Sequence, residues 1–389
     1  MTTLLSFIIL LGILVTIHEL GHFIAARSVG VYVEKFSIGM PPKIFTITSK
    51  DNGFLFRLFF YKRKEGSLEW QPIYEKLIKK NNRIGTNTEY VVALLPLGGY
   101  VKMAGMLDES MDSTLRNKDD EFMSKPLWAK IWILIAGVLM NTLLAIFIFS
   151  SIAFFQGVPE YSKEPIVSKV QEEMPAMNTG ILPGDKIIRI DEHEIVSWKE
   201  MTSVIHASPE KELNIKIDRN GDIQDFKVTT TYTLIPNKGK IDTIGIIGIS
   251  PQFFYEKSTL LESLSIGLDR TLSSFDLIIS SIGMLFSGSA SVSDLGGPIM
   301  IAQLAGQTAE AGFIPFFTFM ALLSVNLAFL NILPIPGLDG GHIFLHLIEG
   351  VIRRPLTIKT RMVIQQIGMA FLLMLMFTVL FSDITRLFN

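Results

Sequence analysis

The sequence predicts an α-helical polytopic membrane protein with four transmembrane helices, a membrane-associated β-hairpin and an inserted extracytoplasmic α+β module. Three observations carry this. Hydrophobic residues make up 49% and charged residues 19% of 389, and the mean hydropathy is +0.40, too apolar for an ordinary soluble enzyme. The apolar residues are gathered into four runs of the roughly 20 residues that a bilayer-crossing helix needs. Between the second and third runs lies a polar stretch of about 90 residues, large enough for its own core.

The first span runs from about residue 4 to 26 and opens on the uncharged stretch Leu4 to Val15. It lacks a basic leading segment and continues into His18 rather than a small-residue cleavage site, so it reads as a retained helix and not as a signal peptide. In residues 30–125, Phe36-Ser37-Ile38-Gly39 and Tyr90 to Met103 read as short apolar strands punctuated by glycine and proline. Such strands beside a membrane helix predict a sheet dipping into the interface. Thr48 to Glu89 reads as a polar, soluble insertion, and Asp108 to Lys125 as a charged, flexible segment. The second span covers about 127–155.

The module follows at 158–252. In it, Leu182-Pro183-Gly184-Asp185 gives a turn before an alternating strand, and Trp198 to His206 a short helix. Asn220-Gly221 separates two strand patterns as a hairpin turn. From about 258 to 287, Leu261, Leu264, Leu268, Leu272, Phe275 and Ile279 recur at steps of three and four, the mark of an amphipathic helix lying at the interface or against the module. The third span, about 313–333, ends at Asn331-Ile332-Leu333-Pro334, and the fourth covers about 362–382. The halves 1–157 and 253–389 thus flank the inserted module.

Basic residues near helix ends set the orientation. Arg27, Lys35 and Lys43 follow the first span, Lys125 and Lys130 start the second, and Arg353, Arg354, Lys359 and Arg361 fill the turn between the third and fourth. These belong on the cytoplasmic side, which leaves both termini and the module outside. A net charge of -2 offers no basic field for nucleic acid, and the absence of cysteine excludes disulfides and thiolate ligands.

The chemistry concentrates at His18-Glu19-Leu20-Gly21-His22. Histidines four apart on a helix share a face and can share one metal, while the glutamate after the first can serve as general base. Catalytic zinc sites commonly use three protein ligands. Asp339, in Leu338-Asp339-Gly340 after the Pro334 and Pro336 break, is the candidate for the third. It ends one out-to-in helix as His18 lies in the cytoplasmic half of another, so the two reach one depth. Asp339 as a helix cap remains the alternative. Asn326, Asn331 and Asn141 are polar groups within spans; Asn326 and Asn141 also fit plain interhelical hydrogen bonding. His342 and His346 repeat the four-residue spacing and read as surface or ligand-supporting groups.

Together, His18 to His22, Leu338-Asp339-Gly340 with Asn331 and Pro334, Pro96-Leu97-Gly98-Gly99-Tyr100-Val101, and Leu182-Pro183-Gly184-Asp185 resemble the site-2 protease family of intramembrane zinc metalloproteases (peptidase M50-like), in its bacterial regulator-of-sigma-E branch. The resemblance implies one Zn2+ per chain, held by His18, His22 and Asp339, with Glu19 activating water. It implies that Asn331 and Pro334, and a reentrant strand at Gly98, Gly99 and Tyr100, position substrate. The module would be a single PDZ domain of circularly permuted type. The implied activity is regulated intramembrane proteolysis in the bacterial inner membrane. Its substrates would be single-span proteins already shortened outside, such as anti-sigma factors, which the PDZ domain binds or excludes. Two departures stand out. The branch often carries tandem PDZ domains, and its Ala-Gly-Pro pattern reads Ala136-Gly137-Val138 here. A PDZ-bearing membrane scaffold with an inactive site is the rival reading, and the intact Glu19 weighs against it. A multi-histidine desaturase would need more than the six histidines present.

Overall fold

A computed structural model of the chain describes residues 2–64, 67–80, 84–106, 118–237, 240–289, 291 and 296–388. Helix α1 (Thr2–Ser28) leads into strands β1 (Val33–Lys50), β2 (Gly53–Lys64), β3 (Ser67–Lys79) and β4 (Glu89–Met103), then α2 (Leu127–Gln156). Next come β5 (Val158–Tyr161), β6 (Lys169–Val170), α3 (Pro175–Asn178), β7 (Lys186–Ile190), β8 (His193–Glu194) and α4 (Trp198–His206). Strands β9 (Glu212–Arg219), β10 (Asp222–Thr229), β11 (Thr231–Asn237), β12 (Lys240–Ile246), β13 (Ile249–Ser250) and β14 (Phe253–Glu256) follow. The chain ends in α5 (Leu260–Phe286), α6 (Pro298–Ala311), α7 (Phe313–Ile332), α8 (Asp339–Ile352) and α9 (Ile358–Phe388). Among the described residues, α1, α2, α7 and α9 are the four helices long and apolar enough to cross a membrane. Two compact units result: Met1–Phe149 with Leu268–Phe275 and Val292–Asn389, and Ser150–Gly267 with Asp276–Ser291.

In the first unit, the buried face of α1 is Leu10, Leu14, His18, Gly21, His22 and Ala25. These recur at the three- and four-residue steps of one helix stripe. Below the histidines, Ala25, Ala26, Val33, Met103, Phe122, Ile133 and Ala136 close a core around the ends of α1, α2, β1 and β4. Burying each of the larger side chains there contributes on the order of 2 kcal/mol.

The four strands make one sheet in the order β3-β2-β1-β4, with β4 at its edge. This is larger than the hairpin expected. The beginning of β1 is partnered twice by β4, Phe36 by both Val101 and Tyr90. The stretch read as a polar insertion is the β2–β3 ribbon, with Phe60 58%, Tyr61 56%, Ile73 50% and Tyr74 49% exposed. Apolar residues run together at Phe54–Phe56 and Leu58–Tyr61 of β2, with charges gathered at Lys62–Lys64 and spread through β3, so the composition averaged over the whole stretch looks polar although β2 itself is largely apolar. Of the segment expected to be flexible, Asp108 to Asn117 lies outside the described residues.

Helix α9 begins before and ends after the expected 362–382. Its extension carries Asp383, which accepts hydrogen bonds from the Gly297, Ile299 and Met300 N–H groups at 3.0, 3.0 and 3.2 Å. A carboxylate thereby satisfies the unpaired first-turn donors of α6. Asp383 is itself 3% exposed.

The second unit has its own core, in which Ile187, Ile190, Leu213, Ile215 and Ile217 are fully buried beneath Met201 and Ile205 of α4. The sheet runs β10-β9-β7-β8. Asn220 at φ 55° and Gly221 at φ 90° make the two-residue turn between β9 and β10, the left-handed pair that matches strand twist. Ser197 caps α4 by accepting from Glu200 N–H at 3.2 Å. Thr259 and Glu262 form a reciprocal capping box at the start of α5.

Candidate metal centre

Three side chains from opposite ends of the sequence converge within the first unit. His18 Nε2 lies 3.0 Å and His22 Nε2 3.3 Å from Asp339 Oδ2, and the two imidazole nitrogens are 3.1 Å apart. The rings stand nearly perpendicular, at 86°. His18 and His22 are 7% and 6% exposed.

Local sequence accounts for each position. The four-residue helical step brings His18 and His22 onto one face of α1. Asp339 is the first residue of α8, directly after the Pro334–Leu338 break that ends α7. A Cβ on Gly340 would sit 2.3 Å from the carbonyl oxygens of Ile332 and Leu333, so only glycine lets the chain fold back that tightly after Asp339.

The ring tautomers follow from the neighbours. His22 Nδ1 lies 2.8 Å from Ile133 O. A carbonyl only accepts, so Nδ1 carries a proton, and in the neutral ring, the form that binds a metal, Nε2 turns a lone pair toward Asp339. Asn141, fully buried, places its side-chain amide 3.4 Å from His18 Nδ1. It is Nδ2 that faces the ring, while Oδ1 has no hydrogen-bond partner; with the amide turned over so that Oδ1 accepts from Nδ1–H, His18 would be fixed in the same tautomer. Three electron-pair donors then face one another, and Asp339 Oδ2 is buried with no hydrogen-bond donor of its own. Such a triad repels itself unless a cation sits between the three atoms. Their separations approach the roughly 3.3 Å edge of a tetrahedron with 2.0–2.1 Å bonds, and two imidazoles with a carboxylate are an ordinary zinc donor set. The residues fit the metal. Among the described residues this is the one group of three or more such side chains with metal-binding spacing.

The remaining expected residues surround this triad unevenly. Glu19 is half-buried and its carboxylate accepts from the Val101 N–H of β4. Asn331 Nδ2 is 3.5 Å from His18 Nε2. Gly98 and Gly99 lie against α1, their Cβ positions 3.7 Å from Val15 and from Glu19 Cγ respectively, and Tyr100 pairs with Ser37. Pro334 is exposed in the break between α7 and α8.

Gly137 is a contributor that sequence reasoning noted only as a departure. A Cβ there would lie 2.6 Å from both His18 Cε1 and His22 Nε2. The signal available was its place one turn before Asn141 on the second span. His346, read as surface or supporting, is 3% exposed and paired to Glu349 at 3.0 Å, because α8 turns that face inward.

An apolar helix long enough to cross a membrane that carries HExxH and is joined by a distant aspartate has the make-up of a metalloprotease site. The profile of peptidase family M50 matches residues 6–66 and 74–375, and the chain belongs to that family. It is 31% identical over 429 positions to the zinc metalloprotease RasP of Oceanobacillus iheyensis, covering all of both chains. It is 30% identical over 427 positions to the regulator of sigma-W protease RasP of Bacillus subtilis, covering 99% of each. A solved PDZ domain of the SdrC-like protein from Listeria monocytogenes matches 24% of this chain and 93% of its own at 21% identity, with a TM-score of 0.19.

Proposed function

We propose that this metalloprotease binds one Zn2+ through His18, His22 and Asp339 and hydrolyses peptide bonds within the transmembrane segments of single-span proteins already shortened outside the membrane. The observation that carries the reading is the convergence of three bare donor atoms from α1 and α8 within 3.3 Å. Bound zinc supplies a Lewis acid that polarises the scissile carbonyl and lowers the pKa of water to roughly 7.

The chain's own groups do the rest. Glu19, adjacent to His18 on α1, takes a proton from the attacking water and returns it to the leaving amine. Its hydrogen bond from Val101 N–H ties the base to the edge of β4. That edge offers unpaired backbone groups to an extended substrate, with Gly98 and Gly99 adding no side chain beside Val15 and Glu19. Strand pairing there would hold a helical substrate unwound. Asn331 and the Pro334 break would steady its backbone near the metal.

The basic residues flanking α1, α2 and α9 support a multi-pass orientation in the bacterial inner membrane with both termini outside. In it the module at 158–252, read as a PDZ domain from its Leu182–Asp185 turn, is extracytoplasmic and binds or excludes the shortened ectodomain. The regulator-of-sigma name of the Bacillus relative supports anti-sigma factors as substrates. An inactive PDZ-bearing scaffold is the competing reading.

Glu19→Gln and Asp339→Ala variants in vesicles with a membrane-embedded reporter separate the two. Glu19→Gln should lose cleavage by about 10²–10⁴-fold while keeping its metal, and Asp339→Ala should lose both. Wild-type cleavage by Glu19→Gln would leave the scaffold.

A further inference from the structure

A second pocket, lined by charged and apolar residues, lies toward the end of α8 opposite Asp339, from His346 onward. It is an open cavity of about 270 Å³ whose wall carries Lys130 of α2, Glu349 of α8, Arg353 and Arg354 of the following turn, and Arg361 of α9. Four cations thus face one carboxylate. That carboxylate is already engaged: Glu349 accepts from Arg361 through both oxygens, from Leu356 N–H at 2.6 Å, and lies 3.0 Å from His346 Nδ1. Among the described residues no carboxylate lies within ion-pair distance of Lys130, Arg353 or Arg354.

Arg361 is the informative member. It is 8% exposed, and its Nε is buried with no hydrogen-bond partner. A buried guanidinium N–H left open beside uncompensated cations asks for an anionic acceptor. His346 adds no charge of its own at neutral pH, since burial, and after it the charge of Arg361, pushes its imidazole down to about 4.

The surroundings identify the anion. The pocket opens at the ends of α2 and α9, and the same first turn of α2 exposes Trp128 by 65% and Leu127 by 37%. An exposed tryptophan at a span's end marks the headgroup level of a bilayer. Apolar Leu127 and Met123 line one wall of the cavity, a surface suited to the start of an acyl chain. A diffusible phosphate would need no such wall.

We propose that this pocket binds the phosphate of an anionic phospholipid headgroup, with Lys130, Arg353, Arg354 and the free Nε of Arg361 as donors. Such an oxyanion accepts several N–H groups at once and balances the excess charge. The lipid would tie α2, α8 and α9 together at the interface, on the helix whose first residue is Asp339. The proposal rests on reading α2 and α9 as membrane spans.

Native mass spectrometry of the full chain in non-ionic detergent, titrated with phosphatidylglycerol or phosphatidylcholine, tests it. The wild type should retain phosphatidylglycerol at least about tenfold more tightly, as expected for several cations each contributing on the order of 1 kcal/mol. In a Lys130→Gln, Arg353→Gln, Arg354→Gln variant the preference should vanish. Equal retention of both lipids by the wild type, or an undiminished preference in the variant, overturns the proposal. Displacement of phosphatidylglycerol by equimolar sodium phosphate would overturn a lipid source. Should the triple variant unfold, Arg354→Gln alone, at an exposed position, should still lower the preference. Carbonate extraction of membranes examines the spans separately: release of the protein would sink the membrane reading whatever the lipid titration gives.

Discussion

Gly137 of α2 sits so close to His22 of α1 that a single methyl group at position 137 would lie 2.6 Å from the ring's Nε2. The same methyl would press on His18 Cε1 at 2.6 Å. Both imidazoles are pinned from behind, His22 by Ile133 O and His18 by the Asn141 amide, so neither can yield without losing its partner. Gly137→Ala should therefore lower zinc affinity by about 10–100-fold, the range found when groups that orient metal ligands are disturbed. Competition against a chromogenic chelator measures this directly. An alanine variant that holds zinc like the wild type would show that the helices can part at no cost.

Metal removal should register in stability as well as activity. A ligand that binds only the folded chain stabilises it by about 4 kcal/mol at a thousandfold excess over its dissociation constant. Chelation should lower the thermal midpoint of the wild type in detergent. It should leave Asp339→Ala unmoved, because that variant has already lost one of its three donors. A midpoint indifferent to chelator in the wild type would speak against a resident metal.

Asp383 gives a test remote from the metal. It is buried and accepts from three N–H groups at the start of α6. Asp383→Ala would leave those donors unsatisfied where water does not reach, a loss on the order of 1–3 kcal/mol. Hydrogen exchange should rise in the first turn of α6 and not at α1. Unchanged protection of Gly297 to Met300 would mean that the cap is dispensable.

These sites differ in how far the sequence alone discloses them. The spans are legible because an uncharged run of that length has few other uses. The His18–His22–Asp339 meeting is legible because helical spacing and membrane depth together leave little freedom. Helix α6 was not foreseen. Its buried positions are Ala305 and Gly306, small residues, the glycine packed on Thr3, that produce no hydrophobic stripe. The β2–β3 ribbon hid because the apolar block of β2 is averaged with the charged residues at Lys62–Lys64 and along β3. Asp383, Gly137 and the Glu349–Arg361 pair draw their meaning from residues over 80, over 110 and 12 positions away respectively. No local pattern encodes contacts of that kind, which exist only once the helices have packed.

The Asp185–Arg219 pair predicts a pH response confined to the second unit. Asp185 is 1% exposed and accepts two bonds from Arg219, at 2.7 and 2.8 Å, and one from Leu182 N–H at 2.8 Å. Burial alone would raise its carboxyl, but those hydrogen bonds and the guanidinium charge outweigh burial and hold it below the usual carboxylate range. A carboxyl depressed in the folded state stabilises fully above its unfolded value of about 3.9, and that stabilisation drains away as pH falls toward the folded value. Protection of the β7 and β9 amides from hydrogen exchange should accordingly weaken in the wild type as pH drops below about 4. Asp185→Asn should be weaker already at neutral pH, by on the order of 1–3 kcal/mol, and should lack that further acid-dependent loss. An asparagine variant as protected as the wild type at pH 7 would show that the bonded carboxylate, although buried beneath the turn, contributes no net stability there.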